Sequence, residues 1–297
     1  MMRAESTEPD PGDAGSNGVK LEGAESVDNR VARAHEHLRR VIGHRGSEDP
    51  DDPSTVWAMP IVLHIPKTGV APRQNLLEDA ARACALVCLD PRAGENGTWA
   101  QSLRGWYGAR IRKVARRARG AKWEAAQDLD GPQTLHGVKI GDAIAYTPCP
   151  TIDTPPVINR LQIQGTDVPL STPEAVRPGV PVIYVDAGLG MTVGKAAAQV
   201  GHGSMLLAAL QSPEWAQRWQ AAGCPLQVRE VDRQHFAELR ARVEAQPDAV
   251  LEGSVTYTPE LQGRPLSLIV RDAGFSEIPA DSATVIAVSA PDEGSCL

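Results

Sequence analysis

The chain repeats itself. Pro60-Ile61-Val62-Leu63, then a loop and a helix-forming stretch from Asn75 to Leu89, parallels Pro181-Val182-Ile183-Tyr184, a loop and a second such stretch from Lys195 to Ala209. Further on, Ile144-Ala145-Tyr146-Thr147-Pro148 echoes Val255-Thr256-Tyr257-Thr258-Pro259. The offset is about 110 to 120 residues, which is domain scale rather than solenoid scale. Each copy opens on a short strand-like run, passes through helical stretches and ends in further strand-like runs. The expected fold class is therefore α/β: two tandem related domains, at 56–175 and 176–297, each a small mixed β-sheet covered by helices. The first copy is expected to lack its final strand, because Pro169 to Gly179 runs directly into the second.

With only two Phe and four Tyr in 297 residues, both cores must be built mainly from Ala, Val, Leu and Ile. Met1 to about Asp28 is rich in Glu, Asp, Gly, Ser and Pro and cannot bury enough apolar surface to offset the entropy of ordering. Residues 1–55 are thus expected to form a disordered acidic tail with one short helix over Asn29 to Val41. The absence of a run of about 18 apolar residues and the polar start predict no membrane span and no secretory signal. Cys84, Cys88, Cys149, Cys224 and Cys296 form no paired metal-type spacing, and Cys84 and Cys88 sit in an Ala/Leu/Val run, so they read as buried thiols in a reducing, cytoplasmic protein.

The richest local chemistry follows Val182-Ile183-Tyr184-Val185. There Gly190-Met191-Thr192-Val193-Gly194-Lys195 leads into Ala196-Ala197-Ala198-Gln199-Val200-Gly201-His202. At about 100° per residue, Gln199 lies roughly 40° round the helix axis from Lys195 and His202 roughly 20° the other way, so all three share one face. A phosphate-gripping nucleotide loop is excluded by spacing. It needs four residues between its glycines and Ser or Thr after the lysine, whereas Gly190 and Gly194 enclose three and Ala196 follows Lys195. A lysine at the positive end of a helix is unfavourable unless something negative meets it, which points to an anionic partner or simply to solvent.

Met191-Thr192-Val193-Gly194-Lys195-Ala196-Ala197-Ala198-Gln199 with His202, then Asp272-Ala273-Gly274-Phe275-Ser276-Glu277-Ile278, then Thr284-Val285-Ile286-Ala287-Val288 resembles the type 2 peptidyl-tRNA hydrolases, in the same order. The resemblance covers roughly residues 178 to 291. It implies hydrolysis of the ester joining a nascent peptide to the terminal ribose of tRNA, with neither cofactor nor metal, and the chain carries no His-x-x-x-His and no Gly-x-Ser-x-Gly. It further implies that Lys195 stabilises the oxyanion or holds the terminal phosphate, and that Asp272 orients water or Lys195. Gln199, Ser276 and Thr284 would form the polar surround, with His202 either a proton carrier or a hydrogen-bonded scaffold.

The sequence departs from the family in lacking its second lysine: the stretch His235 to Ala245 offers only Arg240 and Arg242. Phe275 and Glu277 replace the small or amide residues usual there, and Pro247 to Pro259 adds a strand. The first copy has Asn75, Asp79 and Arg82 where the second has Lys195, Gln199 and His202, and Gln162 or a neighbour where the second has Asp272. It reads as a degenerate, non-catalytic copy. The pair would imitate within one chain, as a monomer, the dimer such domains usually form.

Net charge is −7, which disfavours RNA overall, but Arg104 to Lys122 carries Arg110, Arg112, Lys113, Arg116, Arg117 and Arg119 with no acidic residue. Tyr107, Ile111, Val114, Ala118 and Ala121 recur at four- and three-residue steps, predicting an amphipathic basic helix that contacts tRNA through Arg112, Arg116 and Arg117. Without the second lysine, a catalytically inactive tRNA-binding or translation-associated protein is the alternative.

Overall fold

The computed structural model describes residues 26–43, 46–49, 51–129, 135–165, 167–172, 174–261, 264–274 and 277–290. The tail expected at the start lies, up to residue 25, outside the described residues, as do Ser276 and Cys296. Helix α1 (Val27–Arg39) is capped by the Ser26 hydroxyl, which accepts from the Asn29 amide.

The first sheet contains β1 (Trp57–His64), β2 (Arg112–Ala118), β3 (Gly137–Ile140), β4 (Ala143–Tyr146) and the short β5 (Cys149–Pro150), in the order β2-β1-β4-β3 with β5 also on β1. Helices α2 (Arg73–Leu89) and α3 (Thr98–Tyr107) cross between the parallel strands β1 and β2, and α4 (Ala121–Gln127) and α5 (Pro156–Asn159) follow β2 and β5. The second sheet contains β6 (Val182–Asp186), β7 (Gln227–Val231), β8 (Val250–Glu252), β9 (Val255–Thr258), β10 (Ser267–Asp272) and β11 (Ser282–Val288), in the order β7-β6-β11-β10-β9-β8. Here α6 (Val193–Leu210) and α7 (Pro213–Ala221) cross between the parallel β6 and β7, and α8 (Arg233–Glu244) follows β7. The mixed α/β architecture with two helix-covered sheets is the one expected from the sequence. The orders β2-β1-β4-β3 and β7-β6-β11-β10 coincide, each with one parallel pair followed by antiparallel ones.

Three expectations are corrected. Arg104 to Lys122 is not one basic helix: α3 ends at Tyr107, Ile111 takes a left-handed φ of 44°, and Arg112–Ala118 pairs residue for residue with β1. Burial of Lys113 and Ala115 between half-buried neighbours follows a two-residue period, and pairing with β1, buried from Ala58 to Leu63, overrides the helical spacing of the apolar side chains. The first sheet also has its last strand, since β4 lies beside β1 where β11 lies beside β6, while Val255–Thr258 belongs to an additional β8–β9 hairpin. Finally, the Gly141-Asp142 turn between β3 and β4, rather than Gln162, occupies the place of the β10–β11 turn that follows Asp272; Gln162 instead bridges to Arg117.

The two units share one apolar core. Alanine-rich α2 and α6 pack face to face, and the buried Ser204 hydroxyl donates to Ala81 O at 2.7 Å. Small side chains allow this approach, and a Cβ on Gly201 would fall 2.9 Å from Cys84 Sγ and 3.0 Å from Lys113 Cδ. The buried Arg73 guanidinium reaches across to Glu230 at 2.9 Å and donates to Met191 O at 2.8 Å. Helix α1 seals the same core with Ala34 and Leu38. His35 Nε2 lies 2.9 Å from Ala208 O on α6, while Arg33 donates to Gly94 O of the first unit.

Candidate active site

The turn after β6 sets up the site. Gly190 takes the left-handed φ of 62° that reverses the chain, and the Thr192 hydroxyl then accepts from the Lys195 amide at the head of α6. The Glu277 carboxylate accepts from both the Thr192 amide and the Thr192 hydroxyl, at 3.0 and 2.7 Å, bringing negative charge to the positive end of the helix.

Asp272 comes from the end of β10. Leu268 and Val270 enter the core shared with α6, and Ile269 faces the opposite core beneath α8. Pairing steps from Val270↔Val285 to Arg271↔Ala283, which leaves Thr284 as the extra residue of a bulge and turns its hydroxyl toward α6. Beyond the strand, Gly274 takes a φ of 80°, and a Cβ there would fall 2.5 Å from Ala280 N.

These devices bring Lys195, Gln199, Asp272 and Thr284 together. Lys195 Nζ and Gln199 Nε2 each donate to Asp272 Oδ2 at 2.7 Å, and the Gly274 amide donates to Oδ1 at 2.8 Å. The Thr284 hydroxyl donates to Gln199 Oε1 at 2.7 Å, so the amide of Gln199 is held at both ends. Gln199 and Thr284 are buried, and about a tenth of the Lys195 and Asp272 side chains remains exposed.

His202, one turn on, meets a residue that sequence reasoning had put on an RNA-facing surface. Lys113 of β2 places Nζ 3.1 Å from His202 Nδ1 and 3.0 Å from Met205 Sδ, with the Trp106 ring centroid 4.8 Å away. Burial pushes the Lys113 ammonium down to about 8. Burial, then the charges of Lys113 and Lys195, hold the His202 imidazole well below its ordinary range, so it is neutral at pH 7. The Lys113 ammonium can then only donate to Nδ1, which leaves the imidazole proton on Nε2.

The groups open into a cleft of about 820 Å³ walled by both units, with Tyr107, Ile111 and Lys113 on one side and Lys195, Gln199, His202 and Asp272 on the other. Arg112 also lines it and is paired with Glu48. Arg116 donates to Asn159 O and Leu161 O, and Arg117 to Gln162 Oε1, so all three arginines have partners within the chain. The missed signal for Lys113 was its strand alternation with Ala115, hidden within a run that looked uniformly basic. Among the described residues no helix is long and apolar enough to cross a membrane, and no cluster of three His, Cys, Asp or Glu side chains is placed to hold a metal ion.

No curated protein and no solved structure matches the chain. A family model does, over a stretch that includes Lys195, Gln199 and His202 and stops short of Asp272 and Thr284. Residues 180–249, in the C-terminal half, match the family described as Peptidyl-tRNA hydrolase PTH2.

Proposed function

We propose that the cleft hydrolyses the ester bond of peptidyl-tRNA, releasing free tRNA and peptide. The reading is supported by the convergence of Lys195 and Gln199, from the stretch that matches the family, with the distant Asp272 beyond it, on one water-accessible wall. Ester hydrolysis forms a bond from water oxygen to the acyl carbon and breaks the bond to the ribose oxygen, which leaves with a proton. Asp272, fixed by Lys195, Gln199 and the Gly274 amide, orients the water and accepts its hydrogen bond. The proton that the attacking water gives up to Asp272 passes on to the departing ribose oxygen, to which His202, neutral and protonated on Nε2, donates a hydrogen bond without losing its own proton. Neither step needs a covalent enzyme intermediate.

The matching strand orders of the two sheets support reading the units as a duplicated pair, with the first a copy lacking the Lys–Gln–Asp set and acting as the built-in partner of the second. The tRNA body would follow the basic β2 edge and its flanks, where Arg104, Arg119 and Lys122 are exposed. The internal pairing of Arg112, Arg116 and Arg117 instead favours weak RNA contact at those three positions.

The test is discharge of N-blocked aminoacyl-tRNA by purified protein in the presence of a chelator. Wild type is expected to release free tRNA, and Lys195→Ala to slow release about 100-fold. Salt-sensitive tRNA binding without any ester cleavage would overturn the hydrolase reading in favour of a non-catalytic tRNA-binding protein.

A further inference from the structure

A buried charge ordinarily brings its counter-ion, because removing it from water costs more than neutral hydrogen bonds return. Lys113 breaks this pattern. Only 9% of it is exposed, yet among the described residues its ammonium contacts neutral groups alone: His202 Nδ1, Met205 Sδ and the face of Trp106. The thiols of Cys84 and Cys88 face it from α2, but burial pushes them up to about 12 and about 11, so neither supplies negative charge at neutral pH. Burial likewise holds the Tyr107 phenol neutral. The cation on α6, Lys195, is already committed to Asp272. Among the described residues the cleft therefore contains one compensated ammonium and one uncompensated one, and the second belongs to the other unit.

We propose that Lys113, contributed by the first unit, is the oxyanion-stabilising residue of the cleft, and that its missing counter-charge is the negative oxygen developing on the ester carbonyl. The identity of that anion rests on the hydrolase reading above. Lys113 forms no bond to substrate and gives up no proton; it supplies fixed positive charge from a largely buried position, where such charge acts most strongly on a transition state. The assignment also explains why a unit without Lys195, Gln199 and Asp272 counterparts is retained, since without β2 the site would lack this charge. Lys195 then serves chiefly to hold Asp272.

The experiment combines kinetics with a measurement that needs no turnover. In wild type, kcat is expected to fall as pH rises through about 8, where Lys113 loses its proton. Lys113→Met should lower kcat about 100-fold, leave KM nearly unchanged and abolish that alkaline limb. Its melting temperature should not fall, because the variant removes an unpaired buried charge. A Lys113→Met enzyme that keeps wild-type kcat, or loses only KM, overturns the assignment while leaving the hydrolase reading intact. In parallel, an adenosine ester analogue with a tetrahedral anionic phosphonate in place of the carbonyl is titrated into 15N-lysine-labelled protein. Its binding should raise the pH at which Lys113 Nζ deprotonates by about one unit or more, a tenfold preference for the charged form. An unmoved Lys113 with the analogue bound overturns the assignment. A shifted Lys113 in a protein that cleaves no ester upholds the anion site and rejects the hydrolase reading instead.

Discussion

Lys195 Nζ and Asp272 Oδ2 lie 2.7 Å apart although 77 residues separate them in the chain. The contact joins the head of α6 to the tip of β10, and it is mostly enclosed. Asp272→Ala is therefore expected to leave the Lys195 charge unpaired and to lower stability by about 3 kcal/mol. The paired change Lys195→Met with Asp272→Leu should cost much less. Denaturant unfolding of both single variants and the double one measures the coupling, and simple additivity would remove the ion pair as a structural element.

The bulge at Thr284 makes a second prediction. Thr284→Val keeps the shape but leaves the buried Gln199 Oε1 without its donor, for a loss of about 1 to 3 kcal/mol. Freed at that end, the Gln199 amide would hold Asp272 less firmly. The measurable result is lower kcat with the fold intact by circular dichroism.

Stability should respond to pH on both sides of neutrality. His35 and His202 have imidazoles depressed chiefly by burial, so the unfolded chain binds more protons than the native one as pH falls below about 6.5, and stability drops on acidification. Lys113 acts at the other end. Its ammonium falls from the ordinary 10.5 to about 8, so between those values the unfolded state again holds more protons and stability rises with pH. The corresponding destabilisation at pH 7 is on the order of 3 kcal/mol, and Lys113→Met should recover part of it, with the advantage vanishing as pH approaches 10. Urea unfolding of both proteins from pH 6 to 10 checks the crossover.

Gly201 sits where α6 meets Cys84 and Lys113. Gly201→Ala should lower stability by about 1 to 3 kcal/mol through overpacking and should displace the lysine from His202. Thermal melts report the first effect, and the imidazole nitrogen shifts of His202 the second.

At the interface, Arg73→Ala strands the buried Glu230 carboxylate and removes donors from Met191 O and Val168 O. A loss of about 3 to 5 kcal/mol is expected, with both units unfolding in one transition. Two separate calorimetric transitions would show that the units are independent.

Much of this was legible in the residues. The strand at Val182 to Val185, the Lys195-bearing helix and the α/β class followed from the residue pattern and the order of elements, and the closing strand at Thr284 to Val288 from the resemblance; the structure has them as Val182–Asp186, Val193–Leu210 and Ser282–Val288. The meeting of Lys195, Gln199 and Asp272 was expected from a resemblance rather than from spacing. The basic run was misread because Tyr107, Ile111 and Val114 fit a helical seam, while the pairing with Ala58 to His64 that makes it a strand is a long-range event no local window contains. For the same reason Lys113 was assigned to the surface: its burial depends on α2 and α6, one of them from the other half of the molecule. Tyr146 and Tyr257 share a local sequence pattern, but the first lies on β4 beside β1 and the second on the added β9, so this repeat in the letters is not a repeat in the sheets.

Helix α1 closes the core by leaning on both units at once, with His35 against Ala208 and Arg33 against Gly94. A fragment beginning near residue 176 would contain every family-matched position yet would bare the alanine flank of α6 to solvent and forfeit both the clasp and β2. Cutting the chain at the apparent boundary is consequently expected to strip away one wall of the shared core together with the charge of Lys113.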